Sequence, residues 1–125
     1  MDGEAAPILI VEDVEDHRDI LGIALRAAGY RVAYATDGRD AFNRLESGLR
    51  PCLIILDLAM PRMDGFEFRQ RQVADARFAE IPVIIVSALD DSGRIEQAFG
   101  APGIRKPFLL SDVLDVVRQR IGPPG

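Results

Sequence analysis

The chain has 125 residues, 20 acidic and 15 basic, for a net charge of −5 and a pI near 4.8, a length that suits one folded unit with a real core and not two. The acidic balance argues against nucleic acid or an anionic membrane surface as the direct partner, and no apolar run approaches the roughly 20 residues of a membrane span. The opening MDGEAAP lacks the basic, then apolar, layout of a signal peptide, so a cytoplasmic location is expected.

In chain order, apolar runs alternate with segments of helical period. Ile8 to Val11 is an unbroken aliphatic stretch, the pattern of a strand covered on both faces in a parallel sheet, and it runs directly into Glu12 and Asp13. Asp16 to Ala28 carries Leu21, Ala24, Leu25 and Ala28 on one helical face and stops at Gly29, a residue suited to a left-handed helix end. His17 reads as a helix-surface residue with no partner. Arg31 to Ala35 is a weaker strand, and Asp37 can cap a second helix that turns Ala41, Phe42 and Leu45 inward. Cys52, the only cysteine, heads the third apolar run at Leu53 to Leu56 and is expected to be a buried, inert thiol. Asp57 follows that run.

A third helix is expected from near Gly65, with Phe66 and Phe68 in the core, although Arg69 and Gln72 fall where apolar residues belong. Val83 to Val86 is the fourth strand and leads into Ser87. A short helical run from about Asp91 to Phe99 precedes a weak fifth strand at Ile104 and Arg105, then Lys106 and Pro107. The last helix presents Val113, Leu114, Val117 and Ile121 as one stripe, and GPPG at 122–125 reads as a helix stop or the stub of a linker. There is no internal repeat and no low-complexity tract.

Five successive βα units predict an α/β fold, an open doubly wound parallel sheet with right-handed crossovers, forming one domain over 1–125 with its core at about 7–121. Ligands of such sheets bind beyond the carboxyl ends of the strands. Glu12, Asp13, Asp57 and Ser87 all follow strands there, and Lys106 follows the fifth. Three gathered carboxylates repel one another and one lysine supplies only one positive charge, so a divalent cation is the natural complement. Asp13 and Asp57 can each give one oxygen to Mg²⁺ or Mn²⁺, Glu12 can hold a metal-bound water, and the backbone carbonyl of Ala59 can add a further ligand. Asp57 could then attack a phosphoryl group and become an aspartyl phosphate, with Ser87 and Lys106 holding the phosphoryl oxygens.

Taken singly, each of these residues has a commoner explanation. A Glu-Asp pair after a strand is usually a solvated turn, a strand-end serine bonds local backbone, and a lysine before proline can be a plain turn residue. Their joint placement after separate strands moves the balance. A Mg²⁺-dependent enzyme of nuclease–primase type is the rival from another class, but it generally wants a second acid two positions after the strand-end Asp, where this chain has Ala59. A flavin-binding module would need a loop of small residues after the first strand, and EDVED there would repel an anion.

Four pieces, LIVED at 9–13, DLAMPRMDG at 57–65, VSA at 86–88 and KPF at 106–108, occur in an order and spacing that resembles the receiver domain of bacterial two-component response regulators from Pro7 to about Ile121. The resemblance implies the flavodoxin-like strand order 2-1-3-4-5. It also implies phosphorylation of Asp57 by a sensor histidine kinase or phosphotransfer protein, with Ser87, Ala88 and Lys106 as phosphoryl-binding and switch positions and a cis bond before Pro107. The readout would be an output domain, a protein partner or a homodimer. Members of the family commonly carry an aromatic residue three positions before the lysine, which swings inward on phosphorylation. Here that position is Gly103, and the interval from Ser87 to Lys106 is a few residues short, so the output face is expected to be altered.

Overall fold

The aliphatic runs pair side by side, all in parallel. In the computed structural model, which describes residues 6–58, 64–87, 97 and 100–124, the strands are β1 (Ile8–Val11), β2 (Val32–Ala35), β3 (Leu53–Asp57), β4 (Val83–Ser87) and β5 (Gly103–Arg105). They form one sheet in the order β2-β1-β3-β4-β5. Register places Ile8 between Val32 and Leu53, Asp57 beside Val86, and Ser87 beside Arg105. Four helices are described: α1 (Glu15–Ala27), α2 (Gly38–Glu46), α3 (Gly65–Ala74) and α4 (Leu110–Ile121). Among the described residues no helix is long and apolar enough to cross a membrane.

Side chains alternate across a strand, so runs without polar interruptions need cover on both faces. Leu9, Val11, Ile54, Leu56 and Ile85 pack with Ala41, Leu45 and Phe68 of α2 and α3. Ile8, Ile10, Ile55, Ile84 and Val86 pack with Leu21 and Leu25 of α1 and Val113 and Val117 of α4. Local signals place the helix ends. Asp37 accepts from Asp40 N at 2.8 Å to cap α2, Asp64 accepts from Glu67 N at 2.9 Å to cap α3, and Gly29 follows α1 with φ +103°.

Some expectations change. The helical run expected at 91–99 lies, apart from Gln97, outside the described residues. Phe66 is 46 % exposed while Phe68 is fully buried, because residues two apart on a helix point about 200° from each other and cannot share one inward face. Gln72 is fully buried at a position that periodicity reserves for an apolar side chain. Its Nε2 donates to the carbonyls of Phe78 and Ile81, both at 3.0 Å, and its Oε1 accepts from Arg69 at 2.8 Å. A fully bonded amide is thus accommodated in the core and ties α3 to the chain that leads into β4. Cys52 is half-buried where a buried thiol was expected, its Sγ 3.3 Å from the Ala6 carbonyl, and burial raises its pKa.

Candidate functional site

The acidic turn grows out of β1. Glu12 N extends the ladder by donating to Ala35 O at 3.1 Å, which carries Glu12 into a buried position while Asp13 faces solvent. Glu12 Oε2 accepts from Val14 N at 3.2 Å, and Arg18 of α1 donates from Nη1 to the Glu12 carbonyl at 3.0 Å. Asp57 is the last residue of β3, not the residue after it, and is buried between two neighbouring strands. Beside it, Ser87 closes β4 and is also buried. Lys106 N donates to Ser87 O at 2.7 Å, drawing the end of β5 against the end of β4. The Lys106–Pro107 peptide is cis.

These elements bring four of the singled-out side chains together. Oxygens of Glu12, Asp13 and Asp57 lie within 4.8 Å of one another. Lys106 Nζ stands 3.2 Å from Glu12 Oε1 and 3.2 Å from Asp57 Oδ2. Three carboxylates against one ammonium leave an excess of negative charge in a partly dry site, and the protonation equilibria respond. Glu12 is pushed up to about 7, first by burial, then by its hydrogen bond to Asp57 and by the Asp57 charge, while the Val14 N–H and Lys106 act the other way. The upward direction is the one expected where two buried carboxyl groups stand close together. Burial alone would lower Lys106, but the charges of Asp57 and Glu12 outweigh it and hold the ammonium above its ordinary range. The donor set is all oxygen, which suits a hard divalent cation such as Mg²⁺.

The Ala59 carbonyl and Ala88 lie outside the described residues. Gly103 opens β5, in register with Ile85. Two neighbours of the pocket escape the sequence reading. His17, expected to have no partner, lies with Nδ1 3.8 Å from Glu12 Oε1, because α1 starts immediately after the acidic turn and brings its first turn back over it. Arg18 gives no sequence signal for a bond to backbone six residues earlier. Beside the pocket opens a groove of about 460 Å³ whose lining includes Glu12 and Lys106 together with Ile20, Leu21, Phe108 and Leu110. Ile20 and Leu110 are 50 % and 37 % exposed.

Comparison with known proteins agrees with this geometry. Residues 8–118 match the family model described as the response regulator receiver domain. Among curated proteins, the chain is 39 % identical over 114 residues to the DNA-binding dual master transcriptional regulator RpaA of Synechocystis, covering 89 % of this chain and 47 % of that one. Among solved structures, it resembles the chemotaxis response regulator CheY4 of Vibrio cholerae, with a TM-score of 0.83 and 29 % identity over 93 % of this chain and 98 % of that one. It also resembles the receiver domain of sensor histidine kinase PA1611 of Pseudomonas aeruginosa, solved with a magnesium ion coordinated in its active-site cleft, with a TM-score of 0.81 and 26 % identity over 95 % and 99 % of the two chains. The chain spans 24 % to 47 % of the length of the first curated relatives it matches.

Proposed function

From the premise that the chain belongs to the response regulator receiver family, whose members are phosphorylation-dependent signalling switches, we propose that Asp57 is the phosphoacceptor and that residues 1–125 work as one receiver unit in the cytoplasm. The observation that carries the proposal is the placement of Lys106 Nζ 3.2 Å from both Glu12 and Asp57 at the carboxyl edge of the sheet. Asp13, Asp57 and the Ala59 carbonyl would hold Mg²⁺ or Mn²⁺, with Glu12 holding a bound water. When bound, the cation neutralises charge on the transferring phosphoryl group. An Asp57 oxygen forms the new bond to phosphorus as the bond to the donor's imidazole nitrogen breaks, and the imidazole takes up a proton as it leaves. Lys106, Ser87 and the backbone at Ala88 hold the phosphoryl oxygens. The same residues assist hydrolysis of the aspartyl phosphate, which resets the switch.

The donor is a sensor histidine kinase or phosphotransfer protein, docked over the apolar groove beside the pocket, where Ile20 and Leu110 are exposed. The nuclease–primase alternative finds no support among the matches. Exposure to acetyl phosphate and Mg²⁺ is expected to give one adduct by mass spectrometry, hydroxylamine-labile and lost in Asp57→Asn. An adduct that persists in Asp57→Asn would place the acceptor elsewhere.

The output side is part of the same proposal. A glycine has no ring to swing, and β5 is a three-residue edge strand that Gly103 opens. The phosphorylated state therefore signals through another surface or by reordering the chain around 100–105, read by an output domain, a partner or a second copy. Hydrogen exchange with and without a beryllofluoride phosphoryl mimic is expected to change at 100–105. A rigid 100–105 segment would reject this route.

A further inference from the structure

The turn between β1 and α1 carries two of the three carboxylates, and its backbone is held from several directions. Glu12 N is tied to β2 through Ala35 O at 3.1 Å, Val14 N is tied to the Glu12 carboxylate at 3.2 Å, and Arg18 reaches back along α1 to the Glu12 carbonyl at 3.0 Å. Val14, at the start of the helix, offers no side-chain cap of its own. Asp13 sits in the middle and is exposed, so packing does not aim its carboxylate. The two peptides that flank it do.

We propose that Arg18 is a positioning residue of the acidic pocket. By bonding the Glu12 carbonyl it fixes the 12–14 turn, and with it the directions in which Glu12 and Asp13 present oxygen to a divalent cation. The proposal rests on reading Glu12, Asp13 and Asp57 as the cation site. A charged donor on a partly buried carbonyl makes the stronger class of hydrogen bond, which suits this role.

Two effects of the guanidinium oppose each other, and that makes the idea decidable. As a nearby positive charge Arg18 repels a cation, so through charge alone its loss would tighten Mg²⁺ binding. As a clamp it preorganises the ligands, and outer partners of metal ligands typically contribute about 10- to 100-fold in affinity. The sign of the change therefore separates clamp from charge.

The test is Mg²⁺ calorimetry and Mn²⁺ titration followed by electron paramagnetic resonance, on the parent protein, Arg18→Met and Arg18→Lys, with thermal melting in chelator as the check on folding. Arg18→Met keeps the apolar stem and removes the donor, and is expected to weaken both cations about 10-fold. Arg18→Lys keeps a long cationic donor and is expected to recover most of the loss. Should Arg18→Met fail to fold, Arg18→Lys decides alone, with affinity nearer the parent's than a 10-fold loss expected. Parent-like or tighter binding in Arg18→Met overturns the proposal, as does a 10-fold loss in Arg18→Lys. Asp13→Ala separates the layers: if it binds Mg²⁺ as the parent does, the cation site itself is misplaced and the role of Arg18 falls with it.

Discussion

Raising the pH from 6 to 8 is expected to tighten Mg²⁺ binding about tenfold while leaving the metal-free protein less stable than it is in mild acid. Both effects come from Glu12, held at about 7 against an ordinary 4.5, chiefly by burial and then by Asp57. A cation needs the ionised carboxylate. With a midpoint near 7, about one Glu12 in eleven is ionised at pH 6 and about ten in eleven at pH 8, which is the tenfold ratio. For the metal-free fold the sign is opposite. Below about 4.5 the folded and unfolded chains both carry the proton. As pH rises from there to about 7 the unfolded chain releases its proton and the folded one keeps it, so stability is lost across that window. The loss is at most about 3 to 4 kcal/mol, at 1.36 kcal/mol for each pH unit separating the two states. Lys106 contributes nothing there, because its raised pKa concerns stability lost only above 10.5. Calorimetric titrations at the two pH values, with urea unfolding in chelator across pH 4.5 to 8, check both arms. Glu12→Gln should flatten both profiles, and a profile unchanged in that variant would assign the proton to another group.

A methyl group at position 65 is the second change expected to have a large effect. A Cβ built on Gly65 would stand 2.6 Å from the Asp57 carbonyl oxygen and 2.7 Å from Leu58 Cα. Both are backbone atoms, which cannot rotate aside. Gly65 N also donates to the Leu58 carbonyl at 3.0 Å, so α3 begins in direct contact with the end of β3. Gly65→Ala must push α3 outward or bend the strand end that carries Asp57. Overpacking of this kind costs about 1–3 kcal/mol, and a displacement of about 1 Å at a reacting group is enough to slow transfer about 100-fold. Urea unfolding and the rate of adduct formation from acetyl phosphate measure the two losses. A parent-like rate in a folded Gly65→Ala protein would mean that the strand end is not held by the start of α3.

Much of this was legible from the chain because the sheet is covered on both faces. Ile8–Val11, Leu53–Leu56 and Val83–Val86 have no polar interruptions, and their strands occupy the three central places. Side chains that end such strands must collect at one edge, so Glu12, Asp13, Asp57 and Lys106 could be brought together before any distance was known. What stayed hidden depends on groups that periodicity does not count. Gln72 is buried because two carbonyls from a later segment meet its amide. The nearness of His17 to Glu12 and the Arg18 bond to the Glu12 carbonyl arise from the direction in which α1 leaves the acidic turn, a direction that no composition or spacing reveals.

Mechanically, the pocket joins a stiff part to compliant ones. Asp57 closes β3, a strand laddered on both sides by β1 and β4, so it behaves as an anvil. Lys106 follows a three-residue strand laddered on one side only, and its ammonium rides on a four-carbon stem. Rearrangement at the pocket is therefore expected at the Lys106 side chain and the short edge strand behind it, with Asp57 as the fixed point.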